Sequence, residues 1–148
     1  MTNTIKITFP DGNTKNVNKA ISGLEIAESI SKSLAKESIA IKINNEIVDL
    51  SRKIEEDSKV EIIKKNDDEA LNLIRHDCAH VMAEAVQTLF PNTQVTIGPA
   101  IENGFYYDFA KEVPFTTSDL EKIEKKMHEI ISKGENFIRE VWEKKDAI

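Results

Sequence analysis

The chain has 148 residues, of which 40% are hydrophobic and 31% charged, with a net charge of −6. Such a length permits one domain or two small ones, and the balance predicts a folded soluble protein rather than a disordered one. The negative charge argues against a broad non-specific nucleic-acid surface, so Lys64-Lys65, Lys122/Lys125/Lys126 and Lys144-Lys145 read either as local RNA contacts or as solvated surface.

Thr4 to Pro10 alternate, with Ile5, Ile7 and Phe9 on one face, which predicts a half-buried strand. Pro10-Asp11-Gly12-Asn13 is a turn, and Thr14 to Val17 return as a second strand. Ser22-Gly23-Leu24-Glu25 is a capping box that opens a helix running to about Lys36, with Ile26, Ile30 and Leu34 spaced by four. Ala40 to Ile43 and Glu46 to Val48 are short strands around Asn44-Asn45, and Lys59 to Ile63 is a further one. A small sheet folded over one helix, as in the ubiquitin-like β-grasp, is the simplest architecture for this order. The segment holds no His and no Cys, so it reads as a binding or docking module.

Lys64 to Asp68 is polar and marks a boundary. Asp67 and Asp68 suit the positive end of a following helix, which Pro91 ends after Phe90. Its expected apolar seam is Leu71, Ile74, Cys78, Met82, Ala85 and Leu89. Val95 to Ile97 is a strand, Asn103-Gly104 a two-residue hairpin turn, and Phe105 to Phe109 a strand with aromatics on both faces. Ser118-Asp119-Leu120-Glu121 is a second capping box, and the helix it opens ends at Gly134. Phe137 to Trp142 starts another strand. This second segment is expected to build a three-stranded antiparallel sheet with two helices, and to be the truncated front of a longer domain. The fold class is therefore α+β. The expected organisation is residues 1–64, a linker over 65–68, and 69–148.

Cys78 is the sole cysteine, so no intramolecular disulfide and no cysteine-rich zinc site can form. Neither a leader pattern nor a membrane-length apolar run is evident, and a reducing cytoplasm is the expected location.

The chemistry concentrates in Arg75-His76-Asp77-Cys78-Ala79-His80. On a helical wheel His76 and His80 project roughly 140–180° from Leu71, off the expected seam. Imidazoles one turn apart can share a metal, a water or a substrate oxygen, or be ordinary boundary histidines. Their spacing matches zinc hydrolase helices, but Asp77 stands where the metalloprotease form needs Glu. His128 lies in a Lys/Glu-rich stretch that reads as surface, and Cys78 points to the seam, so a complete metal site is not expected. Without a metal, the pair could hold an attacking water beside an ester carbonyl. In Ile97-Gly98-Pro99, Gly98 permits close approach of a ligand to the backbone, while Tyr106 and Tyr107 offer a stacking surface and a hydroxyl; a packed aromatic hairpin is the alternative.

Taken together, Arg75 to His80, Ile97-Gly98-Pro99, Asn103 to Asp108 and Lys125-Lys126-Met127-His128-Glu129 closely resemble the threonyl-tRNA synthetases, across essentially the whole chain. The resemblance implies an N-terminal TGS domain of β-grasp fold over 1–64, then the first part of an editing domain. A full synthetase of that family is a class II ligase that charges tRNA(Thr) with threonine using ATP and hydrolyses mischarged seryl-tRNA(Thr). By resemblance His76 and His80 are the paired histidines of the editing pocket, and Gly98, Tyr107 and Asp108 line it. Asp108 either takes part in chemistry or closes a strand. Related alanyl-tRNA editing proteins hold zinc with such a pair and a later Cys-x-x-x-His, whereas the threonyl pocket works through ordered water. No second Cys-x-x-x-His and no ligase motifs occur here, so the chain is expected to be inactive alone and to need no cofactor. ATP, magnesium and a zinc ion belong to the ligase domain of the full enzyme. Implied partners are the acceptor end of tRNA(Thr) and the rest of the synthetase, a homodimer, with no membrane contact. The competing readings are an RNA- or ribosome-docking TGS adaptor and a free-standing zinc hydrolase.

Overall fold

A computed structural model describes residues 3–135, 138 and 140–147, and these fall into two compact units, Met1–Ile74 and Arg75–Ile148.

The first unit opens with the expected hairpin, β1 (Thr4–Thr8) and β2 (Thr14–Asn18), then β3 (Ile21–Ser22). Helix α1 (Gly23–Ile30) follows the Ser22–Glu25 capping box, in which the Ser22 amide donates to the Glu25 carboxylate at 2.8 Å. The helix expected to run on to Lys36 breaks at Ser31, whose backbone is extended (φ −165°), before α2 (Lys32–Glu37). Ser31 ends the first helix and starts the second. Its N–H donates to Ala27 O at 3.0 Å and its hydroxyl accepts from the Leu34 N–H at 3.0 Å. The remaining strands are β4 (Ser38–Ile43), β5 (Glu46–Val48), β6 (Lys53–Ile54) and β7 (Ser58–Lys64).

Five strands form one mixed sheet in the order β2-β1-β7-β4-β5, with β1 and β7 parallel and the other neighbours antiparallel. β3 and β6 make a small separate ladder that the sequence pattern did not reveal, because two-residue strands have too few positions to alternate. One face of the sheet packs on α1 through Ile5, Ile7, Ile26, Ile41, Ile54 and Val60. Gly23 lets α1 come this close, since a Cβ there would sit 2.8 Å from Ile41 Cγ2. The other face receives the first turns of α3 (Asp68–Leu89): Ala70 and Leu73 pack on Ala40 and Ile63, and Lys42 bridges Glu61 of the sheet to Glu69 of the helix.

The second unit contains the rest of α3, β8 (Gln94–Val95), β9 (Ala100–Ile101), β10 (Gly104–Phe105), β11 (Phe109–Ala110) and α4 (Thr117–Lys133). Four details depart from expectation. The three-stranded sheet is instead two separate two-stranded ladders, β9–β10 and β8–β11. The hairpin turn is Glu102-Asn103, because Gly104 already pairs with Ile101. The Phe105–Phe109 strand is interrupted over Tyr106–Asp108. The helix start lies two residues earlier, where the Asp119 carboxylate accepts from the Thr116 N–H at 3.0 Å and from its hydroxyl at 2.8 Å. Gly134 ends α4 in the left-handed conformation (φ 62°), as expected. Of the strand expected at Phe137–Trp142, Phe137 and Arg139 lie outside the described residues, and Ile138 and Glu140–Trp142 are in no strand.

The seam of α3 also differs. Leu71 and Ile74 are 50% and 42% exposed, whereas Ala79, Ala83, Ala85 and Val86 are buried. Ala83 and Val86 lie roughly 120° and 60° round the wheel from Leu71. The buried arc is thus rotated towards the histidines, which flank it rather than oppose it. Ala85 and Val86 meet Ile123 of α4, with Phe90, Phe109, Phe115 and Met127 around them.

The capping box predicts an acid response. Hydrogen bonds from the Ser22 hydroxyl and amide, with Lys53 beside them, hold the Glu25 carboxyl at about 2, below its ordinary 4.5. A depressed carboxyl pKa contributes stability that is complete above the unfolded value and lost as pH falls through the folded one. Thermal melts from pH 6 down to about 2 should therefore show a smaller acid loss for Glu25→Gln than for the parent chain, with the difference developing below pH 4.5. Parallel curves would show that the cap is not titrating.

Candidate functional site

The two histidines sit one turn apart on α3, in the stretch assigned to the second unit. Both are exposed, and their Nε2 atoms are 2.9 Å apart, with ring centroids at 4.5 Å and planes at 73°. A contact of that length between ring nitrogens is a hydrogen bond, so one Nε2 carries the proton and the other presents its lone pair. The two rings therefore hold complementary tautomers when neutral. A water or hydroxyl engaging both would take the place of this bond, because no atom fits between nitrogens so close.

Helical geometry explains the pairing. Residues four apart lie on one face, and the neighbours that pack inward, Ala79 and Ala83, are small. Cys78 is half-buried and His128 lies exposed on α4. Among the described residues no group of three or more His, Cys, Asp or Glu side chains is placed to hold a metal ion. Two imidazoles alone do not complete a zinc site, which takes at least three protein ligands.

Gly98 and Tyr107 are brought together. The Tyr107 ring lies against the Gly98 α-carbon, so that a Cβ at residue 98 would fall 2.0 Å from Tyr107 Cδ2 and 2.4 Å from Cε2. Any side chain at that position would displace the ring. Tyr107 also stacks on Phe109, at 4.9 Å and 19°. Phe109 in turn meets Phe115 edge-on at 5.9 Å, and Phe115 meets Phe90 at 5.5 Å. Tyr107 therefore touches both a bare backbone and a file of rings leading into the unit's core. Tyr106 is 46% exposed and takes no part in that file.

Asp108 acts through its backbone. Its N–H donates to Ile97 O at 2.9 Å, and its carbonyl accepts from the Thr96 N–H at 3.2 Å and the Thr96 hydroxyl at 2.8 Å. These bonds extend the β8–β11 ladder and fix the segment that carries Gly98. The sequence reading missed Arg75, whose guanidinium donates to Ile101 O at 3.2 Å and ties the turn before His76 to the β9–β10 hairpin. It also missed Phe109 as the support of Tyr107. The signal for it was its place two residues on, the spacing that put both rings on one side.

Comparison with known proteins gives two findings. The TGS domain family matches residues 5–64. Over 147 residues the chain is 57% identical to the threonine–tRNA ligases of Rhizobium rhizogenes, Bartonella bacilliformis and Agrobacterium fabrum, covering 99% of this chain and 22% of each relative. The chain thus spans about a fifth of the length of the curated relatives it matches. No helix among the described residues is long and apolar enough to cross a membrane. The TGS match falls on the isoleucine-filled β-grasp sheet, and the similarity to threonine–tRNA ligases continues beyond it through the histidine helix and the Gly98–Tyr107 contact, so the chain carries a TGS domain and is similar over almost its whole length to about a fifth of those ligases.

Proposed function

We propose that the chain supplies a threonine–tRNA ligase with its TGS module (1–64), a linker (65–68) and the first part of an editing domain (69–148). The full enzyme charges tRNA(Thr) with threonine in the cytoplasm using ATP and magnesium, with a zinc ion in its ligase domain, and acts as a homodimer. The histidine pair serves its second task, hydrolysis of seryl-tRNA(Thr) at the acceptor end. The supporting observation is the exposed His76–His80 contact at 2.9 Å, on a chain 57% identical to such ligases.

The need for that task is physical. Serine lacks one methyl group of threonine, and a pocket discriminates a methyl by only ~1–3 kcal/mol. A second, hydrolytic sieve multiplies the selection. Hydrolysis requires a water oxygen to attack the seryl carbonyl carbon, the bond to the ribose oxygen to break, and that oxygen to gain a proton. Imidazole can accept the proton from water near neutral pH, and the partner ring can orient the same water. Once the His76–His80 bond opens, one lone pair and one N–H face that water. In this reading Gly98 and Tyr107 line the same pocket, where the Tyr107 hydroxyl would meet a ribose or a serine hydroxyl.

Replacing both histidines with alanine in a full-length synthetase carrying this segment should slow seryl-tRNA(Thr) hydrolysis by about 100-fold or more, the scale of acid–base catalysis, and leave threonine charging unchanged. Charging lost in parallel would mean that the pair is structural. The 148-residue chain alone should show no seryl-tRNA deacylation above buffer, and measurable turnover abolished by His76→Ala would overturn the view that the pocket needs further chain. Gly98→Ala should destabilise the second unit by about 1–3 kcal/mol through overpacking against Tyr107, read by denaturant titration followed at the Tyr107 ring. An unchanged midpoint would mean that the contact yields freely.

A further inference from the structure

We propose that the outer edge of β2 is a docking site for an extended segment of another protein, one that alternates acidic, apolar and acidic side chains along the face it turns to α1. β2 is an edge strand, and among the described residues no strand lies beyond it. Its hydrogen-bonding phase follows from its ends. The Lys19 N–H donates to Asn3 O at 3.0 Å and the Phe9 N–H to Asn13 O at 2.9 Å, so 3↔19 and 9↔13 are bonded pairs. In an antiparallel ladder bonded and non-bonded pairs alternate, which makes Ile5↔Val17 and Ile7↔Lys15 bonded pairs too. The Lys6 N–H agrees with this phase, since it points away from β2 and donates to Asp57 at 2.8 Å. The backbone N–H and C=O groups of Thr14, Asn16 and Asn18 therefore face outward, spaced as a further strand requires.

The side chains are arranged to match. Cross-strand partners share a face, so Val17 and Lys15 lie with Ile5 and Ile7 on the side of α1. Beside the edge runs a groove of about 380 Å³, lined by Val17, Ile21, Lys15, Lys19, Glu25 and Ser29 among others. Val17 and Ile21 give it an apolar floor. Lys15 and Lys19 flank Val17, and residues 14–20 contain no carboxylate in a chain whose net charge is −6; Lys19 lies 3.9 Å from Glu55, an exposed pair that an incoming carboxylate would displace. Lysine on an edge strand commonly guards against pairing. Here the Lys15 ammonium is folded back onto the Ser29 hydroxyl at 3.0 Å, clear of the outward backbone groups. Glu25, the acidic member of the lining, is already held by Ser22 and Lys53. An incoming strand pairs with Thr14, Asn16 and Asn18, and every second side chain enters the groove: an apolar one over Val17 and an acidic one beside each lysine. Main-chain bonds supply the attachment and the alternate side chains the selection. Nucleic acid would meet the lysines but has no groups spaced to pair with a strand edge, so a peptide is favoured.

The test uses the 148-residue chain and a capped peptide containing Asp-Thr-Val-Thr-Glu, followed by amide NMR. Binding should shift the amides of Thr14, Asn16 and Asn18 and slow their exchange with solvent. Methylating one alternating set of peptide amides should abolish binding, and methylating the other should not. Asn16→Pro deletes one outward donor without touching the β1 ladder, a substitution that edge strands tolerate, and should remove binding while the spectrum elsewhere is kept. Lys15→Glu with Lys19→Glu should weaken binding roughly tenfold. Four results would overturn the proposal: no shift at the edge amides, equal binding by both methylated peptides, polyuridylate shifting these amides where the peptide does not, or a dimer of the free chain that Asn16→Pro converts to monomer.

Discussion

Alanine at the buried positions of α3 is the constraint from which the site follows. Ala70, Ala79, Ala83 and Ala85 are all buried; Ala70 packs on Ala40 and Ile63 of the sheet and Ala85 on Ile123 of α4. With small residues at 79 and 83 beside them, the imidazoles one turn apart stand on open surface within bonding distance.

A second constraint acts at the hairpin side. Tyr107 has no room to move towards residue 98, and it stacks on Phe109, the first of a file of rings that continues through Phe115 to Phe90. Lys111 lies over both Phe90 and Phe115, 4.9 and 5.2 Å from their centroids, which adds a cation–π attraction to the same file of rings. The place of one tyrosine thus depends on an absent side chain at residue 98 and on a stacked ring that belongs to the core of the unit. A group meant to meet a ligand repeatedly in one pose gains from such rigidity.

Much of this was legible from residue order. The alternation of Ile5 and Ile7, the Ser22–Glu25 box and the positions of β4, β5 and β7 were all readable, because each signal is local and period-specific. The histidine pair was readable because helical spacing alone fixes it. What escaped had non-local causes. Ser31 looked like one more helical residue until its hydroxyl was seen to cap α2. The seam of α3 has no local signal, because burial there favours Ala79, Ala83 and Ala85 over the larger Leu71 and Ile74. The close contact at Tyr107 could not be read at all, since it depends on Gly98, nine positions earlier, arriving beneath the ring. The helix start at Thr116 was missed because an Asp can take the place that a Glu holds in the familiar box.

Lys42 carries a consequence for chemical labelling. Its ammonium is hydrogen-bonded to Glu69 and Glu61, its side chain is only 19% exposed, and these carboxylates, Glu69 foremost, raise its pKa above the ordinary lysine value. An amine reacts with acylating reagents through its free lone pair, which this environment withholds. Exposed Lys59, on the adjacent strand and in no ion pair among the described residues, would acylate quickly while Lys42 lags, so that the order of modification reports whether the first turn of α3 is seated on the sheet.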